Sequence, residues 1–87
     1  MKLIYCPLCE DVVRLVQEVR RCRCLRSSGC YVDDLQAVIA GEAIPLGVAW
    51  GSFLTALAKR PRKGNGKRFE AFVIPRECPT IEKRERL

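Results

Sequence analysis

Two close cysteine pairs near the start of the chain constrain its fold more than any other feature. Cys6-Pro7-Leu8-Cys9 and Cys22-Arg23-Cys24 read C-x2-C-x12-C-x-C. Thiolates presented in pairs by tight turns are the donor set for one tetrahedral zinc ion. A chain of 87 residues often needs such a staple, because a core of that size contributes little by itself. One domain is expected.

The remaining composition narrows the classes. Hydrophobic residues make up 48% of the chain, so disorder throughout is not expected. No run approaches the length of a membrane span. The first five residues run straight into Cys6 without an apolar stretch of signal length, so a reduced, cytoplasmic setting is expected rather than a secreted disulfide framework. The net charge of +6 is uneven. In residues 1–51 six basic and six acidic side chains cancel, and residues 52–87 carry the whole excess. A basic half suggests an anionic partner.

Hydrophobic patterning gives a coarse order of elements. Lys2 to Tyr5 reads as a strand leading into the first pair. Val12 to Val19 fits either a strand or a helical face, and the spacing decides between them. A helix of that length would carry Cys22 away from Cys9 at 1.5 Å per residue. Strands near 11–16 and 18–22, joined as a hairpin, are therefore expected. Ser27-Ser28-Gly29 reads as a turn, Cys30-Tyr31-Val32 as a strand, and Asp33-Asp34 as a turn or cap. Leu35 to Ala40 and Ala43 to Ala49 read as a hairpin around Gly41-Glu42, with Pro45 at an edge or bulge. Ser52 is placed to cap a helix with Phe53, Leu54 and Leu57 on its apolar face, stopped by Pro61. Residues 62–67 read as a loop, and Arg68 to Pro75 as a strand with apolar residues on both faces. The tail from Arg76 to Leu87 is mostly charged and expected to be loose.

The metal site is read from donor chemistry. Four thiolates on a divalent ion leave a charge of −2, which Arg20, Arg21, Arg23 and Arg26 around the second pair would counter. A closed four-sulfur shell leaves no open coordination position, and the chain has no histidine, so a catalytic metal is not expected. The two pairs, with Cys22-Arg23-Cys24 running into Arg26-Ser27-Ser28-Gly29-Cys30-Tyr31, resemble the zinc-ribbon class with its rubredoxin-like knuckles. More narrowly, they are similar to small uncharacterised bacterial and phage zinc-ribbon proteins. The resemblance covers residues 1–34 and implies Cys6, Cys9, Cys22 and Cys24 as zinc ligands, with no particular activity. The class usually has glycine directly after the second pair, where φ is positive, and this chain has Leu25. Cys30 and Cys78 therefore stay open as replacements for Cys24, beside their reading as buried free thiols.

A second constellation is basic. Lys59, Arg60, Arg62, Lys63, Lys67 and Arg68 fall close together with no acid among them, and Gly64-Asn65-Gly66 lets the backbone bend. The segment does not match a nucleotide-hydrolysing phosphate loop. It reads either as a solvated loop or as a phosphate-contacting patch giving salt-sensitive binding with little base selectivity. Tyr31, Trp50, Phe53, Phe69 and Phe72 are at core spacing, with Trp50 a candidate for exposure.

The expectation is an α+β fold. An N-terminal zinc ribbon, residues 1–34, continues into a small, mostly antiparallel sheet with one short helix, residues 35–75, and a charged tail, residues 76–87. The expected function is non-enzymatic binding of an anionic partner, a nucleic acid or a phosphorylated small ligand. The alternative is a small regulator or inhibitor that docks on a larger protein. An edge strand or Trp50 could also serve a homo-oligomer.

Overall fold

Each cysteine pair forms the turn of its own β-hairpin. The computed structural model describes all residues, Met1–Leu87. Strand β1 (Lys2–Tyr5) runs into the first pair and β2 (Val12–Arg14) leaves it, with Leu3 opposite Arg14 and Tyr5 opposite Val12. Strands β3 (Arg20–Arg21) and β4 (Ser27–Tyr31) flank the second pair, with Arg20 opposite Gly29. The hairpin expected between the pairs does not form, because β2 and β3 lie in different sheets. The segment between them is used to cross over. Leu15 donates its N–H to Lys2 in the first sheet, and the next carbonyl, of Val16, accepts from Tyr31 in the second.

Strands β5 (Ala37–Gly41) and β6 (Ile44–Val48) also part company rather than pairing with each other. β5 pairs with β4, and β6 pairs with β1. Gly41 makes the crossing. Its φ is +72°, and a side chain there would run into the Arg26 carbonyl, which accepts the Glu42 N–H at 3.1 Å. With β7 (Ala71–Val73) and β8 (Ile81–Arg84), two four-stranded sheets result, ordered β2-β1-β6-β7 and β3-β4-β5-β8. Every pairing is antiparallel except β5 with β8. This is the expected α+β class, built on two sheets rather than one.

The core lies between the sheets. Ile4, Val13 and Leu15 meet Ala37 and Ile39, and Cys6, Cys22 and Ala43 join the same buried cluster. Ser27-Ser28-Gly29, expected as a turn, is buried strand. Small residues suit a close approach of backbones there: a Cβ on Gly29 would stand 2.9 Å from Leu15 Cδ2 and 3.1 Å from the Val38 carbonyl. Pro45 sits in an internal strand rather than at an edge. Its carbonyl accepts the Ile74 N–H at 2.9 Å, and it has no N–H to return. The ladder with β7 accordingly ends one residue earlier, at Val73. β7 is not covered on both faces: all three of its residues are exposed, although the Phe72 ring lies over Gly47 and Ile74, just beyond the strand, is buried.

The tail is not loose throughout. Ile81 packs against the core, the Thr80 carbonyl accepts the Ala37 N–H, and Arg21 reaches the Leu87 carbonyl at 3.3 Å. Helix α1 (Trp50–Ala58) begins before Ser52, with Ala49 at the N-cap position and no side-chain cap. Ser52 does another job: its hydroxyl donates to the Ala49 carbonyl and accepts the Glu70 N–H at 2.8 Å. That bond ties the helix to the chain returning toward β7. Of the helix, only Ala56 is buried; Leu54 and Leu57 are exposed. The helix and its following loop form a lobe that contributes no residue to the common core.

Replacing Gly29 by Val should destabilise the fold by about 1–3 kcal/mol, because the sheets cannot close over the added methyls. Urea unfolding of the metal-loaded protein measures this, and an unchanged midpoint would contradict the packing described.

Candidate metal centre and basic cleft

The two hairpin turns meet at one end of the core. There the sulfurs of Cys6, Cys9, Cys22 and Cys24 lie within 4.8 Å of one another. Cys6 and Cys22 are buried, Cys9 is half-buried and Cys24 is exposed. The two turns are built alike. The residue after each pair, Glu10 or Leu25, has a left-handed backbone, φ +59° and +68°. Each donates its N–H back across its turn, Glu10 to the Cys6 carbonyl at 2.7 Å and Leu25 to the Cys22 carbonyl at 3.1 Å. Leu25 therefore takes up the conformation that glycine usually supplies, at a cost of about 1–2 kcal/mol. Cys24 stays in the cluster despite the missing glycine.

The geometry fits a tetrahedral ion. Sulfurs bound at about 2.3 Å lie about 3.8 Å apart along a tetrahedron edge. Cys24 Sγ is 3.7 Å from Cys6 Sγ and 3.5 Å from Cys22 Sγ. The surroundings favour thiolates. The Ser27 N–H points at Cys22 Sγ, 3.3 Å away. The Ser27 hydroxyl is fully buried and has no hydrogen-bond partner. Polar neighbours of Cys6, the Ser27 side chain first among them, hold its thiol below its ordinary pKa. Arg23 donates its backbone N–H to Asp11 Oδ2 at 2.9 Å, a second tie between the turns.

The titrations within the cluster diverge. Burial pushes the Cys22 thiol up, but the Ser27 N–H and the thiols of Cys24, Cys6 and Cys9 together outweigh it, and its pKa falls to about 6. For Cys24 the Arg26 N–H favours the thiolate, but partial desolvation of the sulfur and the other three sulfurs oppose it, and its pKa is pushed up to about 12. Four sulfurs this close cannot all ionise without a cation among them. Cys30 is buried in β4, outside the group. Cys78 is also outside it, with Sγ 3.3 Å from the Thr80 hydroxyl, which lowers its pKa. Neither replaces Cys24.

Compared with protein-family models, curated proteins and solved structures, the chain matches none. The cysteine cluster is compatible with a metal-binding module on its geometry alone.

The basic segment lies away from the cysteine turns, on the helical lobe. Lys59 closes α1, and the chain then bends back beneath the helix. Gly64 and Gly66, at φ +98° and +109°, supply the bend. The result is a cleft of about 240 Å³ whose apolar floor is Phe53, Ala56, Leu57 and Phe69. Of the six bases singled out, Arg60, Arg62, Lys63 and Lys67 line it; Lys59 and Arg68 lie outside the lining. All six are exposed, and the ion pair in the structure, Arg84 with Glu82, is elsewhere. Sequence reasoning missed the floor because it assigned the aromatics to the core. Tyr31 is half-buried, its hydroxyl accepting the Lys2 N–H; Trp50, the candidate for exposure, is exposed, and so are Phe69 and Phe72. The available signal was that Phe53 and Phe69 bracket the basic run. Asp33 behaves as a turn residue: its carboxylate accepts the Leu35 and Gln36 N–H groups, which hold its pKa low. No helix is long and apolar enough to cross a membrane.

Leu25→Gly should raise stability by about 1 kcal/mol by relieving the left-handed strain, read as a higher Tm of the metal-loaded protein. A lower Tm would show that the turn does not carry that strain. Metal loading near neutral pH should release fewer protons than the four thiols hold, because Cys22 is already thiolate above about 6. Calorimetry in buffers of different ionisation enthalpy counts them. Affinity should fall as pH drops through that value, since protons then compete for Cys22 as well as Cys24.

Proposed function

We propose that this protein is a non-enzymatic, zinc-stapled module whose basic lobe binds a phosphate-bearing partner. The partner class is a nucleic acid or a phosphorylated small ligand. Zinc is the ion favoured by four thiolates in a tetrahedron, since it imposes no geometry of its own and needs no redox partner. The four sulfurs fill its coordination shell, which suits a structural role, and no histidine is available as a general base. The thiolates require a reducing compartment such as the cytoplasm.

The observation that carries the binding reading is the cleft on the lobe. Four cationic side chains surround it. No Asp or Glu occurs anywhere between Glu42 and Glu70 to neutralise them. Flexible bases around an open groove make salt-sensitive contacts to phosphates. The metal end contributes less to this surface, because Arg20 and Arg21 are engaged with the backbone carbonyls of Arg14 and Leu87.

A second reading, a regulator docking on a larger protein, draws support from the outer face of the first sheet. Val12, Ile44 and Val73 are exposed there, beside half-buried Tyr5 and Leu46. The two readings separate on a heparin column, where the polyanion reading requires retention that salt reverses.

Two measurements test the main proposal. Native mass spectrometry should find one zinc ion per chain, kept in Cys30→Ser and Cys78→Ser and lost in Cys22→Ser. Changing Arg62 and Lys63 together to Glu should weaken polyanion binding more than tenfold at low salt, and should lower the slope of log K against log salt by roughly two. An unchanged affinity and slope would remove the lobe as the site.

A further inference from the structure

We infer that the cleft on the lobe takes single-stranded nucleic acid, with unpaired bases stacked on the exposed rings of Trp50 and Phe69 and phosphates held by the surrounding bases of the loop. This rests on the polyanion reading above and names its ligand.

The rings are the reason. Trp50, Phe53 and Phe69 form a continuous chain, with centroids 5.6 Å apart for the first pair and 4.9 Å for the second. Phe53, in the middle, is half-buried and meets Phe69 edge-on at 72°. The outer two are 51% and 46% exposed. Phe69 lines the cationic groove, and Trp50 continues the same row of rings through Phe53. An exposed ring next to a cation offers a base both of its preferred contacts, stacking from the aromatic face and charge for the adjoining phosphate.

The choice of single strand over duplex follows from which surfaces are free. Duplex bases keep their faces stacked on each other and present only edges. An unpaired base has a free face of the right shape for Phe69. The cleft is also small, at about 240 Å³, enough for one base and its phosphate. Trp50, on the first turn of α1, lies outside the cleft lining, so a small ligand held in the cleft by the cations would not reach it. A strand running along the lobe would engage it together with Phe69. Such stacking is sequence-tolerant, so little base selectivity is expected.

Trp50 is the sole tryptophan of the chain, so its fluorescence reports on this lobe alone. The zinc-loaded protein would be titrated with oligothymidylate of about a dozen nucleotides. A duplex of the same length and heparin, a polyanion without bases, would be run in parallel. The single strand should quench Trp50 and bind more tightly than the duplex. Phe69→Ala should lower its affinity about tenfold while leaving heparin affinity within about twofold. Phe69→Leu, which keeps apolar packing and removes the π-face, should do the same, so a loss through unfolding is distinguishable. If the single strand, duplex and heparin bind alike and neither Phe69 variant discriminates among them, the stacking inference falls and the polyanion reading stands. If none of the three binds, or if binding ignores the Arg62/Lys63 double change, both fall.

Discussion

Four sulfurs converging at one end of a small core are the constraint on which the rest of this fold depends. Two come from a hairpin in one sheet and two from a hairpin in the other, so whatever holds the sulfurs together holds the sheets together. The chemistry is one-sided without a cation. The neighbours of Cys22 favour its thiolate, and the same crowding drives Cys24 the opposite way, to about 12. A divalent ion held by all four as thiolates would remove the conflict. The buried Ser27 hydroxyl and the left-handed residues after each pair are local costs that such an ion would offset.

From that end the architecture is propagated by three crossings. The stretch after β2 passes from the first sheet to the second, Gly41 sends the chain back, and the segment between β7 and β8 returns it to the second. Each crossing places consecutive strands in different sheets, and the pairings of β1 with β6 and of β5 with β8 join segments distant in sequence. The close approach at Gly29 and the buried serines of β4 suit two sheets of two- to five-residue strands that share a thin core. The lobe between β6 and β7 lies outside that economy. Its helix has one buried residue, so its apolar side chains and cations are free to face a partner.

The parts of the site that were legible in the sequence were those fixed by short-range chemistry. The cysteine spacing named the metal cluster, and Asp33 was readable as a turn residue because its carboxylate accepts N–H groups only two and three positions on. The basic run was legible as charge, but its floor was not. Phe53 and Phe69 carry the same pattern whether they pack inward or face solvent, and only the path of the loop decides between them. β8 was hidden because Glu82, Lys83 and Arg84 are charged; its pairing with β5 uses the backbone and the single apolar anchor Ile81.

By itself, then, the sequence determined that two tight thiol pairs would form one cluster, that a short helix would follow a run of strands, and that the positive charge would gather in the second half. Those are consequences of local spacing and composition, and they hold whichever strands pair. Tertiary structure alone decided which strands are neighbours, that Ser27–Gly29 is core rather than turn, and that Phe53 and Phe69 line a basic cleft rather than the heart of the protein. Strand pairing is decided by backbone hydrogen bonds that every residue type can make, and by whether two sheets can approach closely. Neither leaves a pattern in a single chain.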